Sequence, residues 1–236
     1  RQFRLEAGDL DRVLGGINKV AGSFAVEAGD IGVAIRRAGG AFRSAGGQIE
    51  ELIALFTAVR STTRESAETI ATGFRTIFTR LQRPTTLKFL QQFGVQLQDL
   101  EGKFVGPFEA VRRLNVALKN LDPRDVRYSR IIEQLGGFRQ VSKVIPLIQE
   151  FETAQKALNV AQAGAGSLAV DAAKAQDTFA VKIDKLKEEV KELFRVITES
   201  TAFKVMLDGA IAITKAITNL ATALGPIIPM LTAMFA

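Results

Sequence analysis

Glu50-Glu51 and Glu188-Glu189 each set two carboxylates side by side, the residue type that general acid–base chemistry uses. Adjacent residues on a helix do not face one another. Both pairs also stand in stretches that read as solvated helix face, so neither is expected to work as an acid–base pair. The run Gly136-Gly137-Phe138-Arg139 offers a second chemistry. Backbone N–H groups at a helix start can receive an anion, and Arg139 would stand beside them. A glycine-capped corner between two helices is the simpler reading. No glycine pair is followed by Gly-Lys-Ser/Thr, so no phosphate-cradling loop is expected. The chain has no His, no Cys and no Trp. That excludes thiolate and imidazole sites for zinc or copper, disulfides and nucleophiles that depend on a histidine base. What remains is carboxylate chemistry, Ser/Lys chemistry or none. The expectation is that this segment is not an enzyme and holds no cofactor and no metal.

The elements that would position these residues are helical. Hydrophobic residues make up 47% of the 236 and charged residues 24%, enough apolar side chain for a sizeable core. Proline is scarce, and Ala, Leu, Gln, Glu, Lys and Arg favour helix. The net charge is +6. Such a balance suits an acidic surface, nucleic acid or lipid headgroups. However, only Arg36-Arg37 and Arg112-Arg113 are adjacent basic pairs, and no aromatic–basic interleaving resembles a single-strand groove. The basic residues read as solvated helix faces. Beginning at Arg1 without a methionine, the chain is expected to be a piece of a longer one, and its start shows no signal peptide.

Residues 1–47 are punctuated by glycine, with short amphipathic pieces between. Leu10, Val13, Leu14 and Ile17 keep a helical spacing, as do Ile31, Ala34, Ile35 and Ala38. Several of these glycines must be breaks, caps or close helix contacts, because each interior one costs about 1 kcal/mol. Residues 48–163 read as the helical core. Ile49, Leu52, Ile53, Phe56 and Val59 form one stripe. Ile70, Phe74, Ile77, Phe78 and Leu81 form the next, with Ser66 or Thr63 as its cap and Arg83-Pro84 at its end. Apolar–polar alternation from Val95 and turn residues Asp99–Gly102 predict a small β-hairpin near 95–105. Asp122-Pro123 is expected to open a helix carrying Val126, Tyr128, Ile131, Ile132 and Leu135. Gly136 then falls where a left-handed C′ residue is expected. Gly137 is a permissive link, and Phe138 is expected to enter the core at the start of the following helix.

Gly164 and Gly166 mark a boundary, after which a heptad appears over residues 164–204. Leu168, Ala172, Ala175 and Phe179 step by four, three and four. Ile183, Leu186, Val190, Leu193 and Ile197 step by three, four, three and four. The extra residue between Phe179 and Ile183 is the register interruption of a stutter. These six positions from Phe179 to Ile197 are the candidate oligomer seam of a coiled coil. Residues 205–236 form an apolar tail in which Lys215 is the one charge after Asp208. The tail is long enough to span a bilayer, yet Asn219 and the Gly225-Pro226 break also fit a buried helix. The expected fold is thus mainly α: a compact multi-helix domain with one small β-hairpin, then a long coiled-coil helix and an apolar helical tail.

Three stretches in this order resemble the core region of phage tail tape measure proteins. They are LIALFTAVRSTTRESAETIATGFRTIFTRLQRP, FGVQLQDLEGKFVGPFEAVRRLNVAL and IIEQLGGFRQVSKVIPLIQEF. The resemblance covers roughly residues 20–200. It implies a multi-copy structural virion protein in the lumen or tip of the tail. Such a protein sets tail length during assembly and assists genome delivery across the host envelope. The partners it implies are other copies of the chain, with a homotrimer favoured, and tail tube and tail tip proteins. The host inner membrane and passing DNA, without sequence-specific binding, complete the set. The apolar tail leaves a second expectation open, a membrane-active pore-forming segment released into the envelope.

Overall fold

Ser66, Asp125 and two prolines set where several helices begin. The computed structural model describes residues 3, 6, 9–198, 214–219 and 222. Its helices are α1 (Leu10–Ser23), α2 (Ala28–Ser44), α3 (Ile49–Thr63), α4 (Ala67–Leu81) and α5 (Pro84–Gln92). They continue as α6 (Pro107–Leu118), α7 (Val126–Gly136), α8 (Val141–Gln149), α9 (Phe151–Gln162) and α10 (Ser167–Thr198). The Ser66 hydroxyl accepts from Thr69 N–H at 3.3 Å and caps α4. Pro84 and Pro107 stand in the first turns of α5 and α6, where no N–H is missed. Asp122-Pro123 does not open a helix. Asp125 does, its carboxylate accepting from Arg127 N–H at 2.8 Å, because an Asx acceptor is the stronger start signal.

By contacts the chain divides into two units, Arg1–Ala172 and Ala173–Ala236. In the first, α3 is the central element. Its expected stripe is joined by Ala54, Leu55, Thr57 and Ala58, so the helix is buried on nearly every side. Helices α1, α2, α6, α8 and α9 pack around it, and α4 lies on α2. Phe42, Phe56, Phe74 and Phe78 are fully buried, each stabilising the fold by roughly 1.5–3 kcal/mol. Phe42 and Phe78 meet edge-to-face with ring centroids 4.8 Å apart. Glu50 is buried at the start of α3 and is paired with Arg12 of α1. Lys143 of α8 is likewise buried and reaches Glu65 at 2.7 Å.

The glycines of α1 make a close helix contact. A Cβ on Gly15 would lie 2.1 Å from Gly164 O, and one on Gly16 would lie 2.7 Å from Ala161 O. Backbone therefore meets backbone where α1 crosses the end of α9. Ser167 Oγ donates to Gly15 O at 2.9 Å, and Gly166 N–H donates to Asp11 at 3.1 Å, so the same crossing anchors the start of α10.

The β-hairpin expected near 95–105 reduces to one antiparallel bridge, Gln98 with Phe104. No strand forms among the described residues. Val95 and Leu97 are buried against the helices. Asp99 Oδ1 accepts from Glu101 N–H at 3.0 Å and Lys103 N–H at 2.8 Å. The turn takes up the residues that a second ladder rung would need.

Candidate functional site

Helices α4, α5 and α7 and the link from α7 to α8 enclose a groove of about 790 Å³. Thr76 and Arg80 of α4, Phe89 of α5, Arg130, Glu133 and Gln134 of α7, and the run Gly136–Gln140 line it. The corner itself is built as follows. Helix α7 ends with Gly136, which is buried. Gly137 has φ +62° and ψ 178°, a conformation that side chains rarely adopt. Phe138–Gln140 makes one 3-10 turn, and Val141 starts α8.

Two expectations for the corner change here. The positive φ belongs to Gly137 and not to Gly136, because Gly137 N–H still donates to Glu133 O and extends the helical hydrogen bonding by a residue. Gly136 is needed for space: a Cβ there would sit 2.6 Å from Val144 Cγ2. Phe138 does not enter the core. It is 84% exposed at the groove's edge. After the positive φ of Gly137, Val141 and Val144 of α8 face inward in its place.

Arg80 ties the corner to α4. Its Nη1 donates to Glu133 O at 3.4 Å and Gln134 O at 3.5 Å, a cation over the C-terminal carbonyls of α7. Its guanidinium lies where a side chain on Gly137 would go, 3.1 Å from the built Cβ position. Gln134 Nε2 donates to Thr86 Oγ1 at 3.1 Å and adds α5 to the same joint. Arg130 and Arg139 are exposed and have no hydrogen-bond or ion-pair partner among the described residues. The groove thus gathers three guanidinium groups, one carboxylate and two phenyl rings. Sequence reading singled out Arg139 but missed Arg80, Arg130 and Phe89, which lie on three different helices and share no local spacing.

The shifted carboxylates lie elsewhere. Glu109 of α6 is held down to about 2, first by its hydrogen bond from Arg112 and then by that from Arg113. Asp122 and Asp125 are lowered mainly by Arg124 and Arg127 beside them. Burial pushes Glu51 up. None of these lines the groove. Among the described residues no group of His, Cys, Asp and Glu is placed to hold a metal ion.

Of the candidate seam, Ile183 is 39% and Leu186 51% exposed, and Val190 is half-buried, all on α10. Phe179, Leu193 and Ile197 lie on the same helix, but their side chains are outside the described residues. The apolar tail 205–236 is described only at 214–219 and 222. Among the described residues no helix is long and apolar enough to cross a membrane, so the transmembrane expectation has no helix to stand on there.

The fold and the groove define a mainly helical protein whose exposed features are an arginine-lined cleft and a long helix with apolar positions in view. The family model for phage-related minor tail proteins matches residues 1–137, more than half of the chain. The chain belongs to that family. The match runs from α1 to the cap glycine of α7, so it takes in the α1–α4 packing and stops at the corner. No solved structure matches the chain.

Proposed function

We propose that this chain is the core region of a tape measure protein, present in several copies in the tail lumen near the tip. In this reading it contributes to length setting during assembly and to genome delivery on infection. The observation that carries the proposal is the succession of two parts. A helical unit whose residues 1–137 match the minor tail family, and which ends with α8 and α9, is followed by α10, a 32-residue helix whose Ile183 and Leu186 are exposed. Exposed apolar residues at heptad spacing ask for partner helices. A narrow tube favours copies arranged by rotation about its axis, and three is the number proposed. The partners are other copies of the chain and the proteins of tube and tip. DNA passes without being read.

Electron microscopy of purified tails tests the placement, using an antibody raised against residues 9–172. Label confined to the distal end of opened tails is the expected result. Label along the outer wall of intact tails, or none at the distal end of opened tails, contradicts it.

A second reading, an envelope pore, is favoured by one feature, the near absence of charge after Asp208. Liposome flotation with and without residues 205–236 separates the two. Equal recovery of both chains at the bottom of the gradient rules out the pore for this segment.

A further inference from the structure

The two most exposed large apolar side chains among the described residues are Leu100, at 108%, and Phe138, at 84%. Their surroundings carry opposite charge. Leu100 is the apex of the turn after Leu97, between Asp99 and Glu101. Phe138 edges the groove of Arg80, Arg130 and Arg139, in which Glu133 is the one carboxylate. Lys103 pairs with Glu101, and the tip still keeps an acidic excess, as the groove keeps a basic one.

Both features are held ready. The turn is locked by Asp99 N–H to Lys103 O at 2.9 Å, Gly102 N–H to Asp99 O at 3.1 Å and Gln98 Nε2 to Gly102 O at 2.7 Å. Arg113 fastens its base by donating to Gln96 O at 2.8 Å. Presenting Leu100 therefore costs little ordering on contact. In the groove, Arg80 is fixed on the α7 carbonyls while Arg130 and Arg139 remain unpartnered. Arginine forks beside one exposed phenyl ring, Phe138, and one half-buried ring, Phe89, are the composition of a protein-binding centre, and guanidinium groups match carboxylates in bidentate geometry.

We propose that the groove receives the Asp99-Leu100-Glu101 tip of a second copy of this chain. Leu100 packs on Phe138 and Phe89, and the flanking carboxylates meet Arg130 and Arg139. The contact is heterologous, tip of one copy into groove of the next, so repetition closes a ring or builds a filament according to the rotation between copies. It uses surfaces distinct from α10 and holds whether or not the chain is a tape measure. A nucleic-acid strand is the competing occupant. Glu133 inside the groove and its confinement to one corner argue against a continuous anion track.

The chain has no cysteine, so introduced thiols report without background. Chains carrying Leu100→Cys and Thr76→Cys, mixed under mild oxidation, are expected to form a 100–76 disulfide in preference to either self-linked pair. Arg130→Glu in the groove chain should cut that yield at least about fivefold through like-charge repulsion. Glu101→Cys, which keeps Leu100, repeats the test with the apolar knob intact. The proposal is overturned by a yield no higher than that of Leu100→Cys with Val116→Cys, an exposed control on α6. It is also overturned by a yield indifferent to Arg130→Glu, or by a groove thiol that links to a modified single-stranded oligonucleotide and never to the tip.

Discussion

Gly136 and Gly137 are neighbours that do different work. Gly136 gives room to Val144, and Gly137 supplies a backbone conformation and a bed for Arg80. Gly136→Val therefore overpacks the α7–α8 joint, and we expect a loss of about 1–3 kcal/mol, read as a lower urea midpoint. Gly137→Ala should cost a similar ~1–3 kcal/mol through backbone strain. Unlike Gly136→Val, it should also loosen Arg80. Which glycine holds the positive φ could not be read from the sequence, because two adjacent glycines satisfy the same end-of-helix pattern. The inward path of Phe138 failed for a related reason. An aromatic after a cap looks like core, but the 3-10 turn rotates it outward. Charge also acts at this scale. Glu109 is depressed from 4.5 to about 2 by Arg112 and Arg113. A lowered carboxylate stabilises the fold fully above its unfolded value, and that share is lost as pH falls from 4.5 towards 2. Glu109→Gln should flatten this part of the acid limb when urea midpoints are followed against pH.

At the scale of elements, periodicity found what burial enforces. The stripes on α3 and α4, the cap at Ser66 and the long helix α10 were all readable, since each is written in neighbouring residues. The burial of α3 on nearly every side was not, because it depends on which other helices surround it. Nor was α5, a short helix in which Leu90 is buried and whose Phe89 meets Phe93, the residue just past its end, at 4.9 Å. The hairpin was over-read: alternation at Val95 and Leu97 marks burial, and no ladder follows. Glycine-rich α1 shows how one composition hides different roles. Gly15→Val should prevent α1 from docking, since its Cβ would strike the Gly164 carbonyl. Loss of several kcal/mol, about 3 or more, is expected. Gly40 is exposed in α2 with nothing near its Cβ position. Gly40→Ala should raise stability by about 0.5–1 kcal/mol. Chemical denaturation of the two variants checks both signs.

For the whole molecule, the family match and the helical build agree on a tail protein, and the groove adds a feature of which the sequence showed only the Gly136–Arg139 run. Its residues come from α4, α5, α7 and the corner, and only folding brings them together. The proposal that copies assemble through α10 is the central claim about how the chain works, and native mass tests it most directly. Light scattering of the purified 236-residue chain should give a trimer. In a chain that also carries Arg130→Glu, which removes the tip–groove contact, Ile183→Asp with Leu186→Asp should reduce the trimer to a monomer while the melting of the α1–α9 unit is unchanged. A parent that stays monomeric at high concentration, or a trimer that survives both aspartates, would contradict the account.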